Sequence, residues 1–387
     1  YRAFTHGDSH GMRHLARLAQ AGVTHVHLLP VFDIATVPEL REDQTRPEEP
    51  GWAGLPPDAV EPQAAIWAVR DEDGFNWGYD PWHYTVPEGS YATDPEGPVR
   101  ILEFREMVQV LAAAELRVVM DVVYNHTHAA GRARGSVLDQ IVPGYYQRLD
   151  NEGRVATSTC CANTATEHRM MEKLMIDSVL TWARHYRVDG FRFDLMGHHS
   201  LENLQRLRAA LDELTVARDG VDGSGIYLYG EGWDFGEVAG DARFVQARQA
   251  NLGGSGIGSF SDRLRDGARG GAYDSHPSAQ GFVNGLAVEP SAWSLDQAFD
   301  PVAARDELLR RTDWIRVGLA ADLADFRFQA ADGRVRRADQ VDYNGSPAGY
   351  TRDPAENISY VAAHDNETLF DANQLKLPRS VSMEERI

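Results

Sequence analysis

The chain has 387 residues, 43% of them hydrophobic and 25% charged, with a formal net charge of −20. This composition supports a sizeable core and excludes a disordered chain. The charge argues against nucleic acid or an anionic membrane as a partner and suits a neutral one, and no apolar run reaches the length of a membrane span.

Strand and helix signals alternate along the chain, the pattern of an α/β fold with parallel strands. HGMRHLARLAQAG sets Leu15 and Leu18 on one helical face and stops at Gly22. The apolar strand VTHVHLLPVF follows. PVRILEFREMVQVLAAAEL is a second helix, with Pro98 suited to its first turn. LRVVMDVVYNH is a valine-rich strand, EHRMMEKLMIDSVLTWARHY a long amphipathic helix, VDGFRFDL the next strand and LENLQRLRAALDEL the next helix. IYLYGEGW and, near the end, NISYVAAHDN give further strands, and ADFRFQAADG is the candidate for a sixth. Between these lie long excursions at about 39–76, 128–167 and 234–300, and loops of that length in a compact domain usually serve function. There is no internal repeat.

The two cysteines, Cys160 and Cys161, are adjacent. A bond between neighbours forces an awkward local geometry, so two free thiols are expected. Nothing here is a disulfide framework, and the compartment stays open. The chain begins at Tyr1 rather than Met and stops at SMEERI, the start of a helix, so it reads as a piece of a longer protein whose destination is not settled.

The strands share one habit: apolar beginnings and polar C-terminal ends. Asp121, Asn125 and His126 end one, Arg192 and Asp194 the next, Glu231 the third, and His364 and Asp365 the last. Active sites of (β/α)8 TIM barrels sit at that rim, fed by several strands. A capped loop start accounts for any one of these ends, but poorly for four in order. The fold expected is therefore such a barrel, spanning 1–387, with long βα-loop insertions and without its last strand.

Three acids stand out: Asp194, Glu231 and Asp365. Cleaving a glycosidic bond with retention needs a carboxylate nucleophile and a carboxylic acid proton donor about 5 Å apart. Arg192 and Asp194 are two positions apart on one strand and so share a face. A guanidinium beside a carboxylate favours its charged form, which suits a nucleophile. A structural ion pair is the default for one such couple, but buried pairs are often no net gain for stability. Glu231, in YGEGWDFGE, has an apolar and partly enclosed setting of the kind that raises a general acid's pKa; a surface acid in a Gly-rich turn explains that segment alone equally well. The His364–Asp365 pair suits either a metal or sugar hydroxyls, and His126 carries the same ambiguity. NWGYDPWHY packs Trp77, Tyr79, Trp82 and Tyr84 into one loop, and sugar rings lie on such aromatic faces. Core packing is the competing explanation for Trp82 and Tyr84, less so for Trp77 and Tyr79.

DVVYNH, DGFRFDLMG, YGEGWDFGE and AAHDNE resemble, in order, the four signature regions of the α-amylase superfamily, glycoside hydrolase family 13. FNWGYDP, HVHLLPVFDIATV, STCCANTATEH and GIGSFSDRLRDGARGG are similar more narrowly to type I pullulanases and limit dextrinases, and the likeness runs through nearly the whole chain. The resemblance implies Asp194 as nucleophile, Glu231 as general acid/base and Asp365 as the acid that binds ring hydroxyls and stabilises the transition state. It pairs Arg192 with the nucleophile, gives His126, His364 and Asn366 to the sugar, sets Tyr79 beneath it and makes Asp121 a structural acid. Trp77 and Trp233 become subsite walls. In many amylases the asparagine matching Asn125 binds calcium, so a structural calcium is allowed here, although the chemistry needs no cofactor. The implied reaction is endohydrolysis of α-1,6 branch linkages in pullulan, amylopectin or limit dextrins by double displacement, the partner an α-glucan and the protein a monomer. The carbohydrate-binding and β-sandwich domains before the barrel and the β-domain after it are missing, so the fragment alone is expected to be poorly stable or weakly active.

Rival readings remain. His25 and His27 in HVH resemble the metal pair of amidohydrolases, but the middle strands there need histidines where this chain has Asp194 and Glu231. A non-catalytic starch-binding barrel fits less well, because all three acids are present. Within the superfamily, α-1,4 hydrolysis and transglycosylation share the same trio.

Overall fold

The computed structural model describes residues 1–47, 51–56, 59–272 and 275–386. Parts of the expected excursions at 39–76 and 234–300 lie outside them. The chain divides into two compact units, Tyr1–Ala247 and Arg248–Ile387.

In the first unit, the strands His25–Leu28, Arg117–Val122, Gly190–Phe193 and Tyr227–Gly230 form a parallel sheet in that order. That is half the complement of an eight-stranded barrel. All but the first residue of Arg117–Val122 are buried, as strands covered on both faces require. The register aligns Asp121 with Arg192 and Arg192 with Tyr229. Because side chains alternate, these three polar residues share one face, while Met120, Phe191 and Leu228 share the other.

The apolar face packs under helices. Arg169–Tyr186 buries Met171, Met175, Val179 and Trp182. Trp182 meets Phe104 of helix Val99–Ala113 with ring centroids 5.4 Å apart. Pro98 sits at that helix's N-cap, one residue earlier than expected. Helix His10–Gln20 starts where Ser9 Oγ accepts the Met12 amide at 3.1 Å, and it is followed by Gly22 at φ +102°. Helix Leu201–Asp212 opens with a reciprocal Ser200–Asn203 capping box. No helix among the described residues is long and apolar enough to cross a membrane.

The excursions carry elements of their own. Helix Glu61–Val69 lies in the first and strand Ala162–Asn163 in the second. Cys160 and Cys161 are joined by a disulfide, where free thiols were expected. The turn holding them is pinned from both sides: Thr159 Oγ1 donates to Asn163 Oδ1 at 2.6 Å and accepts the Cys161 amide at 3.4 Å.

In the second unit, Gly258–Phe260 and Asn357–Ile358 pair in parallel. ADFRFQAADG is not a barrel strand: Arg327–Gln329 pairs antiparallel with Val335–Arg337. The Gly333 amide donates to the Ala330 carbonyl at 2.9 Å with φ +79°, a tight turn that folds the segment back on itself. Of NISYVAAHDN only Asn357–Ile358 is strand. Trp314, Val317, Ala338, Val341, Tyr343 and Ala348 form a core beneath helix Pro301–Leu319, with Phe326 and Phe328 packed against it.

Candidate active site

Arg192 is the hub of the polar face. Its Nη1 lies 2.9 Å from Asp121 Oδ1 and 3.0 Å from Asp194 Oδ1, and its Nη2 lies 2.9 Å from Glu231 Oε1. All four side chains are buried. Burial works against the guanidinium's charge, but Asp121, Glu231 and Asp194 outweigh it and hold the group firmly protonated. The expected pairing of Arg192 with Asp194 is thus one arm of a fork whose other arm holds Glu231.

Asp194 and Glu231 follow the ends of adjacent strands. The next residue, Leu195, takes a left-handed conformation at φ 41°, and its amide donates to Glu231 Oε2 at 2.8 Å. Glu231 is enclosed, and a guanidinium and an amide are among its neighbours. Burial pushes the Asp194 carboxyl up, to about 6; Asp121 pushes the same way, while Arg192 and Asn125 pull it back.

Tyr79, Asn125 and His126 close the same side. Tyr79 OH donates to Asp121 Oδ2 at 2.7 Å, and the Arg192 guanidinium lies 5.9 Å from the Tyr79 ring centre. Burial, reinforced by Asp121, pushes the phenol far up, so it stays a donor. Asn125 Nδ2 donates to both the Asp194 carbonyl and Asp194 Oδ2 at 2.8 Å. His126 faces acceptors on both nitrogens: Asn125 Oδ1 at Nδ1 and the Tyr79 carbonyl, 2.8 Å away, at Nε2. Burial lowers its pKa, with the Tyr79 carbonyl and Asp80 opposing. Asn125 does not fit the calcium allowed for it: the oxygen a cation would need faces an imidazole, and its amide faces Asp194.

Trp77 and Trp82 are both exposed, while Tyr84 is buried and donates its hydroxyl to the His126 carbonyl at 2.8 Å. Core packing therefore accounts for Tyr84 but not for Trp82. Trp233 is half-buried in the loop after Glu231. His364, Asp365 and Asn366 belong to the second unit, where His364 Nε2 lies 3.2 Å from Asp365 Oδ1 and the Asn366 amide donates to the Ala363 carbonyl at 3.3 Å.

No family model matches the chain. It is 48% identical over 390 residues to pullulanase 1, chloroplastic, from Arabidopsis thaliana, covering 100% of this chain and 40% of that protein. It is 42% identical over 430 residues to a pullulanase of Klebsiella pneumoniae, covering 100% of this chain and 37% of that one. The chain belongs to the pullulanase family. The crystal structure of a maltotriose complex of a Klebsiella pneumoniae pullulanase superposes with a TM-score of 0.89 at 41% identity, over 100% of this chain and 44% of that one. The chain thus spans 37–40% of the length of these two curated pullulanases.

Several residues in or around this polar face escaped the sequence reading. His27, weighed only as a metal ligand, has Nε2 3.7 Å from Asp121 Oδ2 and Nδ1 3.1 Å from Tyr229 OH. Tyr229 was legible in principle, two positions before Glu231 and on the same face. Arg148 was not: from within an excursion it reaches Glu167, Glu237 and the His198 carbonyl. Only its near-complete burial reveals it as a brace.

Proposed function

We propose that the chain is the catalytic core of a hydrolase that cleaves α-1,6-glucosidic branch linkages in pullulan, amylopectin and limit dextrins with retention. The observation that carries this is one buried guanidinium gripping Asp194 and Glu231 on opposite arms, at the ends of neighbouring parallel strands. A retaining mechanism needs two carboxyl groups held close across the scissile bond. The likeness to pullulanases supplies the linkage.

In this reading Asp194 attacks the anomeric carbon while Glu231 protonates the leaving glycosidic oxygen. Water then resolves the glycosyl-enzyme, with Glu231 as base. Leu195 and Arg192 orient Glu231; Asn125 and Arg192 orient Asp194. Tyr79 and His126 receive the sugar, and Trp77 and Trp233 wall the neighbouring subsites. Asp365, His364 and Asn366 are assigned to the ring hydroxyls on the family resemblance alone. All of this is carboxylate chemistry and needs no cofactor.

The metal-centre alternative finds little support. Among the described residues, neither His25 nor His27 joins a cluster with metal-ligand spacing. The deciding experiment is digestion of pullulan with chromatography of the products. Maltotriose is expected. Panose would assign the chain to α-1,4 hydrolysis, and a chain that unfolds cooperatively yet releases no product would overturn the proposal.

A further inference from the structure

Glu231 begins a short loop whose two ends are held by different partners. At the near end the Gly197 amide donates to the Glu231 carbonyl at 3.0 Å, and the Leu195 amide to Glu231 Oε2 at 2.8 Å. At the far end stands Glu237, a residue the chemistry above does not use. Its Oε1 accepts from Asn163 Nδ2 at 2.9 Å and from Arg148 Nη1 at 3.1 Å, and its Oε2 accepts from the Ser158 hydroxyl. Gly236, at φ +75°, seats the turn before it: a Cβ there would meet Ser158 Oγ at 2.5 Å and His198 Nε2 at 3.0 Å.

A structural ion pair does not account for Glu237. Arg148 is already matched by Glu167, which accepts from its Nε at 3.0 Å and from its Nη2 at 2.8 Å. A second carboxylate, with a side chain only 16% exposed, adds negative charge where the arginine needs none. What Glu237 adds is reach. Asn163 belongs to strand Ala162–Asn163 and stands opposite His126 in the antiparallel pairing with His126–Thr127. One carboxylate thus joins the loop carrying Glu231 and Trp233 to the strand beside His126.

We propose that Glu237 is a positioning residue of the glucan site: it fixes the far half of the loop 231–237 against the His126 strand, and so sets where Trp233 stands relative to His126. This rests on the reading of the site as an α-glucan hydrolase with Trp233 as a subsite wall. Glu231 is held independently by Leu195, Gly197 and Arg192, so releasing Glu237 leaves the acid in place and loosens the wall. A fixed wall binds better than a mobile one, because less ordering is left to be done when the sugar arrives.

The test measures KM and kcat on pullulan, and maltotriose binding by tryptophan fluorescence, in the parent and in three variants. Glu237→Ala should raise KM and the maltotriose Kd together by about three- to tenfold, the net worth of one hydrogen bond, with kcat held within about twofold. Glu237→Gln keeps the length and an acceptor oxygen for Asn163 and Arg148, and should recover most of the loss. Glu237→Asp keeps the charge but draws the oxygens back by one methylene, and should behave like Glu237→Ala. A purely structural brace predicts a lower melting temperature and fewer active molecules, with KM and Kd unchanged in those that fold, and that result overturns the proposal. So does a Gln variant as impaired as Glu237→Ala, which would make charge and not reach decisive. If Glu237→Ala fails to fold, Glu237→Asp decides by the same KM and Kd criterion. A parent that neither binds maltotriose nor hydrolyses pullulan instead overturns the reading of the site itself, before any variant is made.

Discussion

Arg192 Nη2 lies 2.9 Å from Glu231 Oε1, on the arm of the guanidinium opposite the one that holds Asp194. One planar group thereby fixes the spacing of two acids that come from different strands. A lysine carries the same charge but as a point, and cannot bridge two carboxylates in a plane. Arg192→Lys is expected to lower kcat/KM on pullulan by about a hundredfold, the scale of an ångström's misplacement at a reacting centre. A variant that folds and stays within tenfold of the parent would show that the fork is structural. Arg192→Ala should in addition unfold more readily, by about 3–5 kcal/mol, because it leaves buried carboxylates unpaired.

Glu231→Gln and Asp194→Asn separate the two roles. Glu231→Gln should lower kcat on pullulan by about 10²–10⁴-fold and recover much of it on an α-maltosyl fluoride, whose leaving group needs no proton. Asp194→Asn should be equally inert on both substrates, since its loss removes the attacking group. Matching behaviour of the two variants on the fluoride would contradict the assignment.

Burial pushes Asp194 up to about 6, and in the proposed role of nucleophile it acts only when ionised. Activity should therefore fall about tenfold per pH unit below that value. Asp121 contributes to the upward push. Asp121→Asn removes a nearby negative charge and should move the acidic limb of kcat/KM to lower pH. A limb that stays in place would mean Asp194 does not set it.

Acid should also loosen the fold. Burial pushes His198 down to about 4 and His199 to about 3. An unfolded histidine titrates near 6.5, so as pH falls through that value the unfolded chain takes up protons that the folded chain refuses. Stability from these two residues is present above about 6.5 and is lost progressively below it. Burial also raises Glu237, but hydrogen bonds from Ser158, Asn163 and Arg148 outweigh it and bring the carboxyl down to about 2. Its contribution is present above the unfolded value near 4.3 and is lost as pH falls towards 2. Asp194, raised, runs the other way: its contribution is present below about 3.9 and is lost as pH rises through 6. Asp322, which burial also raises to about 6, opposes the histidines in the same window, so the check is on one residue's share: between pH 6.5 and 4.5 the thermal midpoint of His199→Gln should fall less, or rise more, than that of the parent.

The four strands of the first unit were legible because each joins an apolar run to a polar end, and the polar ends marked the rim. Gly258–Phe260 was not legible, since GIGSF carries neither β-branched alternation nor a charge at its close; its pairing with Asn357–Ile358 is a long-range contact that local sequence does not announce. Arg327–Gln329 misled for the opposite reason: its local alternation is real, but the turn at Gly333 spends it on a hairpin. At the site, Arg192 beside Asp194 could be read from spacing alone. Its second arm on Glu231 could not, because that contact follows from the register of two strands separated by a helix. The disulfide likewise depends on a turn whose anchors, Asn163 and Glu237, lie far apart in sequence.

Gly230, the last residue of its strand, immediately precedes Glu231, and the space beside it is closed. A Cβ there would meet the Phe193 carbonyl oxygen at 2.4 Å and Met196 Cβ at 3.0 Å. The oxygen belongs to the backbone of the neighbouring strand and cannot swing aside. Gly230→Ala must therefore push the two strands apart where they deliver Asp194 and Glu231, and overpacking of this kind costs about 1–3 kcal/mol. The expected outcome is a folded, slightly less stable protein with kcat lowered about a hundredfold, because the displacement falls on the acid pair itself. Gly225→Ala is the control, since nothing lies within 4 Å of a Cβ there. Equal activity in the two variants would mean that the spacing of the two strand ends does not limit catalysis.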